Sequence, residues 1–429
     1  MPRSRTIDLL LLGASEVVTL GDGDGPKAGA EAMNDLGVVR DAGVAVHKGK
    51  VVEVGPSLEL ARRYRAWRRI LCRGRTILPG LVDCHTHPVF AHMREQEFAM
   101  RCRGATYEEI FAAGGGIHAS AEHLRDTPLD ILATRVRRRL DRMLLHGTTT
   151  VEAKSGYGLS TEAELKSLEA LARGARGHPT TVVPTFLGAH AMPPAYRDRR
   201  QAYVREVTDE MIPRVARKKL AVFCDVFVEE GAFTAREGRQ VLRAGLEHGL
   251  RPKVHADEFR DGGGAKLAAS VGAISAEHLG GTGPEGIRAM AQAGVVPVLL
   301  PATCLFLGLK RPDARGMIEA GCAVALATDF NPGSSPTENL HLVAALGCTD
   351  LGLTPEEAIT AITVNAAAAV GLASSRGRIA PGRRADLLVL DAPSYLSLPY
   401  RLGTNLTHLV VAGGKIVAER GRRRGVKRP

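Results

Sequence analysis

Short apolar runs alternate with amphipathic stretches through the middle of the chain. Each run is almost continuously hydrophobic, which is typical of strands that are buried on both faces of a parallel sheet. Eight such runs separated by helical patterns predict a (β/α)8 barrel of the TIM type, which needs about 250 residues. The predicted strands are Leu81–Asp83, Thr149–Ala153, Thr181–Leu187, Val222–Val228, Lys253–Ala256, Ala273–Ala276, Val295–Leu300 and Ala323–Ala327.

Helix signals separate these runs. Within 136–144 the apolar residues fall on one helical face, and Gly147 follows as a stop signal. Thr161 and Glu164 have the spacing of a capping box. The segment Thr354–Glu357 combines a capping threonine, a proline at the first helical position and a glutamate at the third. These patterns place helices between the strands, as the barrel requires.

Both ends of the chain are rich in strand patterns instead. Apolar segments near the N-terminus flank a turn at His47–Lys50, and Gly413–Gly414 joins two strands near the C-terminus. We therefore expect a small β-sandwich domain that is assembled from both termini. The predicted boundaries are 1–75 for its N-terminal part, 76–379 for the barrel, 380–420 for its C-terminal part and 421–429 for a basic tail.

Composition limits the cellular setting. Hydrophobic residues make up 45% of the chain, and no stretch is long and apolar enough to span a membrane. The seven scattered cysteines do not have the pattern of a disulfide framework. We therefore expect a soluble, cytoplasmic protein with no membrane partner.

The formal net charge of +11 raises the question of nucleic-acid binding. Much of the excess comes from dispersed arginines and from the tail Gly421–Pro429. Aromatic residues make up only 4% of the chain, which argues against a base-stacking platform, and no nucleic-acid-binding motif accompanies the charge. We therefore expect no nucleic-acid partner.

Several predicted strands end in residues that commonly bind metal ions. His85 and His87 are two positions apart, so both side chains project from the same face of the first strand. His255 ends the fifth strand and Asp329 the eighth. Because the working residues of such barrels lie at the carboxyl ends of the strands, we expect these four residues to converge on one metal ion. Imidazole nitrogens suit zinc or iron.

Other residues near these strand ends leave alternatives open. His278 ends the sixth strand and is a ligand, a proton carrier or a histidine of the core. Glu258 is either an ordinary loop carboxylate or a proton shuttle beside a bound water. Asp329 has the chemistry both to bind a metal and to accept a proton. Strand alternation points Cys84 away from the face that carries His85.

Long motifs at the strand ends resemble those of the amidohydrolase superfamily. The segment Pro79–His87 is similar to the signature of that superfamily. Within it, the chain closely resembles the enzymes that open an imidazolone ring in histidine breakdown, from the first strands to the final hairpin but not in the tail. Other matching segments are Lys154–Leu159, Thr185–His190, Val254–Glu258 and Ala327–Asn339.

The resemblance implies a reaction, a cofactor and a set of site residues. The implied reaction is hydrolysis of 4-imidazolone-5-propanoate, a small molecule, to N-formimidoyl-L-glutamate by a homodimer with one zinc or iron ion per chain. The implied metal ligands are His85, His87, His255 and Asp329. The catalytic candidates are Glu258, His278 and Asp329. The implied substrate contacts are Arg94, Tyr157, His190, Glu258, Asn331, Gly333 and Ser334.

These substrate contacts make chemical sense for a ring with a carboxylate tail. A guanidinium such as that of Arg94 suits the propanoate, although a solvated arginine is the alternative. We expect His190 to hydrogen-bond the ring carbonyl. The turn Asn331–Ser334 offers an amide, a backbone and a hydroxyl beside Asp329, although a purely structural turn is the alternative.

A single metal ion is expected. Many amidohydrolases bind two metals through a carbamylated lysine at the end of the fourth strand. Here that strand ends in Glu229 and Glu230, and Lys154 ends the second strand instead. Glu229 nevertheless has the chemistry to bind a second ion.

Two other functions fit parts of this pattern. A deaminase of a cytosine- or guanine-like ring would use the same ligand set, but Arg94 and the turn Asn331–Ser334 fit a carboxylate-tailed ring better. A catalytically inactive barrel would have lost metal ligands, whereas every expected ligand is present here.

Overall fold

The computed structural model of the chain describes residues 5–106, 109 and 115–424. Within these ranges, no helix combines the length and the hydrophobicity that a membrane crossing needs. The end of the predicted basic tail, 425–429, lies outside the described residues.

Seventeen strands in the described residues form two sheets. The first five are β1 (Arg5–Val18), β2 (Val38–His47), β3 (Lys50–Pro56), β4 (Tyr64–Leu71) and β5 (Thr76–Pro79). The next eight are β6 (Leu81–Asp83), β7 (Thr148–Lys154), β8 (Thr181–Ala189), β9 (Phe223–Val228), β10 (Arg251–Ala256), β11 (Ser275–His278), β12 (Val296–Leu299) and β13 (Ala325–Leu326). The last four are β14 (Leu387–Leu390), β15 (Thr407–Ala412), β16 (Lys415–Glu419) and β17 (Arg422–Arg423).

The sheet of the two chain ends is mixed and has nine strands. Its order is β17-β16-β15-β14-β5-β1-β2-β3, with β4 also paired to β1. The two ends of the chain meet where β14 pairs antiparallel with β5. Both predicted hairpins are present, with His47 opposite Lys50 and Ala412 opposite Lys415. The strand β17 lies within the segment predicted as a basic tail, where Arg423 forms an ion pair with Asp141.

The other sheet is the predicted barrel. Strands β6 to β13 follow one another in chain order, and every neighbouring pair is parallel. The two ends of this sheet meet where Thr86 pairs with Phe330 and where the Asp329 N–H donates to the His85 carbonyl at 3.1 Å. This closure lies directly beside two of the predicted metal ligands.

Helices cover the outside of the barrel strands and connect the sheets. Their bounds are Gly29–Asn34, Ser57–Arg63, Glu95–Cys102, Ile117–Asp126, Leu129–Leu145, Thr161–Ala175, Arg200–Arg205, Ile212–Arg217, Ala235–Glu247, Gly264–Ser270, Pro284–Ala293, Pro301–Leu307, Ala314–Glu319, Leu340–Leu351, Pro355–Ala361, Val364–Ala369 and Ser397–Tyr400. A 3-10 turn at Pro194–Arg199 and a π-helical turn at Glu206–Met211 complete the helical segments of the described residues.

The helix signals of the sequence have two outcomes. The capping box of Thr354 and Glu357 is confirmed, because each side chain bonds the backbone N–H of the other residue. The capping box of Thr161 and Glu164 is wrong. The helix Thr161–Ala175 follows Ser160 without a side-chain cap. The Glu164 carboxylate instead accepts hydrogen bonds from three backbone N–H groups of the loop after β7, those of Gly156, Gly158 and Leu159.

The domain boundaries stay a prediction. Strand β5 begins at Thr76 and belongs to the nine-stranded sheet, just beyond the predicted N-terminal boundary. Only Gly80 separates β5 from β6, so the chain passes directly from the nine-stranded sheet into the barrel at Leu81.

Candidate metal centre and active site

Three imidazoles converge at the carboxyl ends of β6 and β10. His85 and His87 follow β6, and His255 is the penultimate residue of β10. The Nε2 atom of His87 lies 3.3 Å from Nε2 of His85 and 3.3 Å from Nε2 of His255. All three residues are buried. The strands therefore bring His255 next to the pair of His85 and His87, from which it is far apart in the sequence.

Asp329 follows β13 and completes this cluster. Its Oδ1 atom lies 3.4 Å from Nε2 of His85 and 3.5 Å from Nε2 of His87. Its Oδ2 atom accepts a hydrogen bond from the Thr303 hydroxyl at 2.7 Å. The backbone φ of Asp329 is +51°, in the left-handed region that side chains other than glycine adopt infrequently. Backbone and side chain together hold Oδ1 towards the imidazoles.

The chemistry of these donors fits a metal ion. Ligand atoms of His85, His87 and His255 lie within 4.8 Å of one another. The Nδ1 atoms of His85 and His87 have no hydrogen-bond partner among the residues that the structure describes. Three imidazole nitrogens and a carboxylate facing one point attract a cation, and both zinc and iron accept such a nitrogen and oxygen set. The cluster therefore fits one metal ion.

Burial controls the protonation of the cluster. It lowers the pKa of His85, His87 and His255 well below the usual value, and nearby positive groups add to this shift. Burial raises the pKa of Asp329 to about 7, although hydrogen bonds to the carboxylate oppose the shift. The histidines are therefore neutral, which is the form of imidazole that binds a metal.

His278 and Glu258 stand side by side next to the cluster. The Nδ1 atom of His278 lies 3.6 Å from Oε1 of Glu258, a contact without a hydrogen bond. A ligand atom of His278 also lies within 4.8 Å of those of His85 and Asp329. Burial lowers the pKa of His278 to about 3 and raises that of Glu258 well above its usual value. Both positions suit the catalytic roles predicted for them, and those roles stay predictions.

His190 and Tyr157 form a wall of the site. The His190 ring stacks on the His87 ring, with centroids 5.2 Å apart and an interplanar angle of 18°. The Tyr157 ring centroid lies 5.4 Å from that of His190. The Nδ1 atom of His190 lies 3.0 Å from the carbonyl oxygen of Gly156. Because a carbonyl only accepts hydrogen bonds, Nδ1 carries the proton and Nε2 is an acceptor.

Arg94 lies after β6, immediately before the helix Glu95–Cys102. Its Nε and Nη2 atoms donate to the two carboxylate oxygens of Glu97 at 2.7 and 2.5 Å. A Cβ atom added to Gly333 would lie 2.4 Å from Nη1 of Arg94. With only 20% of its side chain exposed, Arg94 is not a freely solvated arginine. It packs on the turn after β13, where Gly333 leaves room for the guanidinium in this position.

The turn Asn331–Ser334 is held together by its own polar groups. The side-chain oxygen of Asn331 accepts from the backbone N–H groups of Gly333 and Ser334, both at 2.8 Å. The amide nitrogen of Asn331 donates to the Asp329 carbonyl at 2.7 Å and to the Ser334 hydroxyl at 2.8 Å. The amide thus shapes the turn, while Gly333 makes the close approach to Arg94.

The side chains of Glu229 and Cys84, which also carry atoms able to bind a metal, are engaged elsewhere. The Glu229 carboxylate accepts backbone hydrogen bonds from Phe259 at 2.8 Å and from Glu230 at 2.9 Å. Cys84 points into an apolar cluster, with its sulfur 3.9 Å from the Leu326 carbonyl. The donors that face the centre are therefore the imidazoles and Asp329.

The sequence did not identify the residues that hold the site residues in place. These are Glu97 for Arg94, Thr303 for Asp329, and Asp225, whose Oδ2 atom lies 3.0 Å from Nδ1 of His255. The three-residue spacing on one helix could have pointed to Glu97, and a charge within the apolar run of β9 could have pointed to Asp225. No sequence signal marks Thr303.

Known proteins resemble this chain over almost its whole length. Residues 76–417 match the model of the Amidohydrolase family. An imidazolonepropionase of Geobacillus thermodenitrificans is 50% identical over 418 residues, covering 96% of this chain and 99% of that protein. An imidazolonepropionase of Symbiobacterium thermophilum is 46% identical over 424 residues, covering 97% and 99%.

Solved structures share the fold at much lower sequence identity. An adenosine deaminase from Xanthomonas campestris with bound zinc has a TM-score of 0.76 at 18% identity, covering 99% of this chain and 96% of that one. The guanine deaminase of E. coli has a TM-score of 0.73 at 15% identity, covering 96% and 99%. These likenesses establish the architecture of barrel and terminal sheet.

Proposed function

The chain belongs to the amidohydrolase family and, within it, to the imidazolonepropionases, and from this premise we propose that it hydrolyses 4-imidazolone-5-propanoate to N-formimidoyl-L-glutamate in histidine degradation. In this reaction a water oxygen bonds to the ring carbonyl carbon, the bond from that carbon to the ring nitrogen breaks, and the nitrogen takes a proton. The observation that carries the proposal is the convergence of His85, His87, His255 and Asp329 in a chain with such relatives.

We assign one zinc or iron ion to these four residues. When bound, the ion lowers the pKa of a water molecule towards neutrality and polarises the carbonyl group of the substrate. The supporting feature is that the histidines are buried and neutral while Asp329 presents one oxygen to them. Elemental analysis of protein from cells supplied with both metals should find about one ion per chain. Two ions per chain would contradict the assignment.

Asp329 and Glu258 divide the proton transfers between them, with His278 beside Glu258. Asp329 takes the proton of the attacking water, because its Oδ1 atom lies beside the histidine nitrogens that would hold the ion. Glu258, whose pKa burial raises, supplies a proton to the leaving ring nitrogen. His278 stays neutral, and its Nδ1 atom lies 3.6 Å from Oε1 of Glu258, where it adjoins that carboxyl group.

The wall of the site orients the ring. His190 is neutral, since burial lowers its pKa to about 4, and its Nε2 atom accepts hydrogen bonds. It therefore suits a ring N–H of the substrate better than the ring carbonyl, which was the partner expected from sequence. The Tyr157 ring lies beside that of His190, so its hydroxyl faces the same substrate edge. Burial raises the pKa of Tyr157, which keeps the hydroxyl protonated and able to donate a hydrogen bond.

Arg94 binds the propanoate tail. Its Nε and Nη2 atoms are engaged by Glu97, and its Nη1 atom faces Gly333. Glu97 thereby fixes the direction of the guanidinium. A carboxylate of the substrate beside this guanidinium would also lie beside the turn that holds Gly333, which the family resemblance implies as part of the substrate contacts.

A spectrophotometric assay with freshly prepared substrate tests the proposed function. The metal-loaded protein should remove the absorbance of the imidazolone ring and produce N-formimidoyl-L-glutamate, identified by mass spectrometry. The same preparation is given guanine and cytosine while ammonia is measured. Ammonia release from either base, with the imidazolone left intact, would contradict the proposal and favour a deaminase.

Substitution Glu258→Gln tests the proton-transfer role. A positioned acid or base contributes roughly 10²- to 10⁴-fold, so kcat should fall by about that factor while the metal stays bound. Elemental analysis of the variant separates loss of proton transfer from loss of metal. An unchanged kcat with an unchanged pH profile would remove Glu258 from the mechanism.

We also propose a cytoplasmic homodimer that acts on this small molecule. The seven cysteines are free thiols, which supports a reducing compartment, and the family resemblance supports the dimer. Light scattering should then give twice the chain mass of 45.6 kDa. A mass equal to that of one chain at micromolar concentration would contradict the dimer.

A further inference from the structure

We propose that Asp225 and Lys154 are positioning residues for the metal ligands, and that the Lys154 ammonium joins the two halves of the ligand set through two buried carboxylates. The inference rests on the proposed metal centre but not on the proposed substrate. The effect of both residues acts through the histidines.

The first half of the link runs through Asp225. This residue lies in β9, next to β10, which carries His255. Its Oδ1 atom accepts from the His255 backbone N–H at 3.2 Å, and its Oδ2 atom lies 3.0 Å from Nδ1 of the same residue. The angle at Nδ1 departs from that of a hydrogen bond, so the side-chain contact is electrostatic.

This contact selects one tautomer of His255. The negative charge of a carboxylate oxygen 3.0 Å from Nδ1 favours the tautomer with the imidazole proton on that nitrogen, because it attracts the N–H group and repels a ring lone pair. Nε2 then keeps its lone pair, and it is Nε2 that lies 3.3 Å from Nε2 of His87. A carboxylate behind a ligand histidine also raises the basicity of that ligand. Asp225 therefore prepares His255 to bind a cation.

The second half of the link runs through Glu152. Its Oε2 atom accepts from the backbone N–H of Thr86 at 3.4 Å, and its carbonyl accepts from the Thr86 hydroxyl at 2.6 Å. Thr86 lies between His85 and His87, so Glu152 holds the segment that presents both histidines. The Thr185 hydroxyl makes a further short contact with the same carboxylate.

Lys154 connects these two carboxylates. Its Nζ atom donates to Oδ2 of Asp225 and to Oε1 of Glu152, each at 2.8 Å, and its side chain is fully buried. A buried ammonium is costly unless it is paired, and two carboxylates without it would repel each other. One cation therefore fixes the spacing between the support of His255 and the support of the His85–His87 segment.

The same region does not suit a second metal ion. Ligand atoms of Asp225, His255 and Glu277 also lie within 4.8 Å of one another. However, Asp225 is already paired with Lys154, and Glu277 is paired with Lys253 at 2.9 Å. Two ammonium groups thus supply the positive charge that a metal would bring. Among the described residues, Asp225 is the carboxylate that lies within 4 Å of a His255 ring nitrogen, so the support of this histidine comes from the pair of Asp225 and Lys154.

Lys253 provides a matched control. It is as fully buried as Lys154, so Lys253→Met also removes a buried, paired charge from the barrel interior. Its other hydrogen bonds lead to the Ser275 hydroxyl at 2.6 Å and the Ala369 carbonyl at 3.2 Å, away from the converging imidazoles. The comparison of Lys154→Met with Lys253→Met therefore isolates the positioning role from general destabilisation.

Zinc affinity measured without substrate tests the inference. The metal-free full-length parent and the variants Asp225→Asn, Lys154→Met and Lys253→Met are titrated with Zn²⁺ against a chromophoric chelator. We expect Asp225→Asn and Lys154→Met to bind zinc roughly 10- to 100-fold more weakly, which is the usual effect of losing such support. We expect Lys253→Met to bind zinc like the parent. Thermal unfolding of each metal-free variant gives its stability independently.

Two outcomes would overturn the inference. One is an unchanged zinc affinity in Asp225→Asn, a substitution that keeps the side-chain shape and decides the question alone if Lys154→Met does not fold. The other is an equal loss of affinity in Lys253→Met, which would make the effect a general one. Because no substrate is present, failure of the proposed function would show separately, as normal zinc binding without opening of the imidazolone ring.

Discussion

The terminal sheet and the barrel bury different chemistry. The core of the sheet is aliphatic and draws on both ends of the chain, with Leu9, Val44, Leu387 and Val411 in one cluster. The barrel interior instead buries charged residues that the strands direct inwards. These are Glu152, Lys154, Asp225, Lys253 and Glu277.

This difference indicates what each region is selected to do. Aliphatic burial stabilises a fold by roughly 25 cal/mol for each Å² removed from water. Buried ion pairs are often no more stabilising than apolar side chains of the same size. The barrel therefore gives up stability in order to hold its ligands in position. Substitutions in the two regions should separate activity from stability.

The largest effect on activity is expected from Asp329→Asn in the barrel. The amide cannot accept a proton and binds a cation weakly, so kcat should fall by roughly 10²- to 10⁴-fold. The side-chain shape is kept, so the melting temperature of the metal-free protein should stay close to that of the parent. Steady-state kinetics and calorimetry measure the two quantities. Substantial activity in a correctly folded variant would contradict the role of Asp329 and the separation of activity from stability between the two regions.

The largest effect on stability is expected from Leu387→Ala in the terminal sheet. Leu387 is fully buried in the aliphatic cluster, so the free energy of unfolding should fall by about 2–5 kcal/mol. The control is Leu71→Ala, at a leucine that is 64% exposed, where the change should stay within about 0.5 kcal/mol. Denaturant unfolding gives both values. A fall in kcat per folded molecule would show that the two regions are not separable.

A smaller and more selective effect is expected from Arg94→Ala. Loss of a charge-assisted contact worth about 1.5–3 kcal/mol should reduce kcat/KM roughly 10- to 150-fold, mainly through KM. Gly333→Ala should act in the same direction, because its new methyl group would meet the guanidinium. Gly55→Ala in the terminal sheet is the control, since a Cβ atom there meets nothing within 4 Å. An unchanged KM in Arg94→Ala would remove this arginine from the site.

The smallest effect is expected from Thr354→Ala. The substitution removes the confirmed capping box at the start of the helix Pro355–Ala361 and should lower the free energy of unfolding by about 1 kcal/mol. Kinetic constants should not change, because the cap lies away from the imidazole cluster. Altered kinetic constants would mean that the start of this helix is coupled to the active site.

The sequence was sufficient for the barrel and for the converging ligands. Strands buried on both faces have continuous apolar runs, so each of the eight was visible. Strand alternation and the rule that barrel sites lie at the carboxyl ends then led to His85, His87, His255 and Asp329.

Features that depend on neighbours in space were not visible. Strand β4 was missed because its arginines, exposed at the edge of the sheet, interrupt the apolar pattern. The box of Thr161 and Glu164 was wrong because the loop after β7 uses the carboxylate. From the sequence, Lys154 was only a lysine at the end of the second strand, whereas a lysine that bridges two metals ends the fourth strand. Its link to Asp225 follows from a strand packing that spacing along the chain does not reveal.

Activity as a function of added metal tests the central claim most directly. The metal-free protein is titrated with Zn²⁺ while the loss of 4-imidazolone-5-propanoate is followed. Binding of one ion by the three histidines and Asp329 predicts a rate that rises linearly and stops rising at one equivalent per chain. Full activity without metal, or a ring that stays closed at every zinc concentration, would contradict the account.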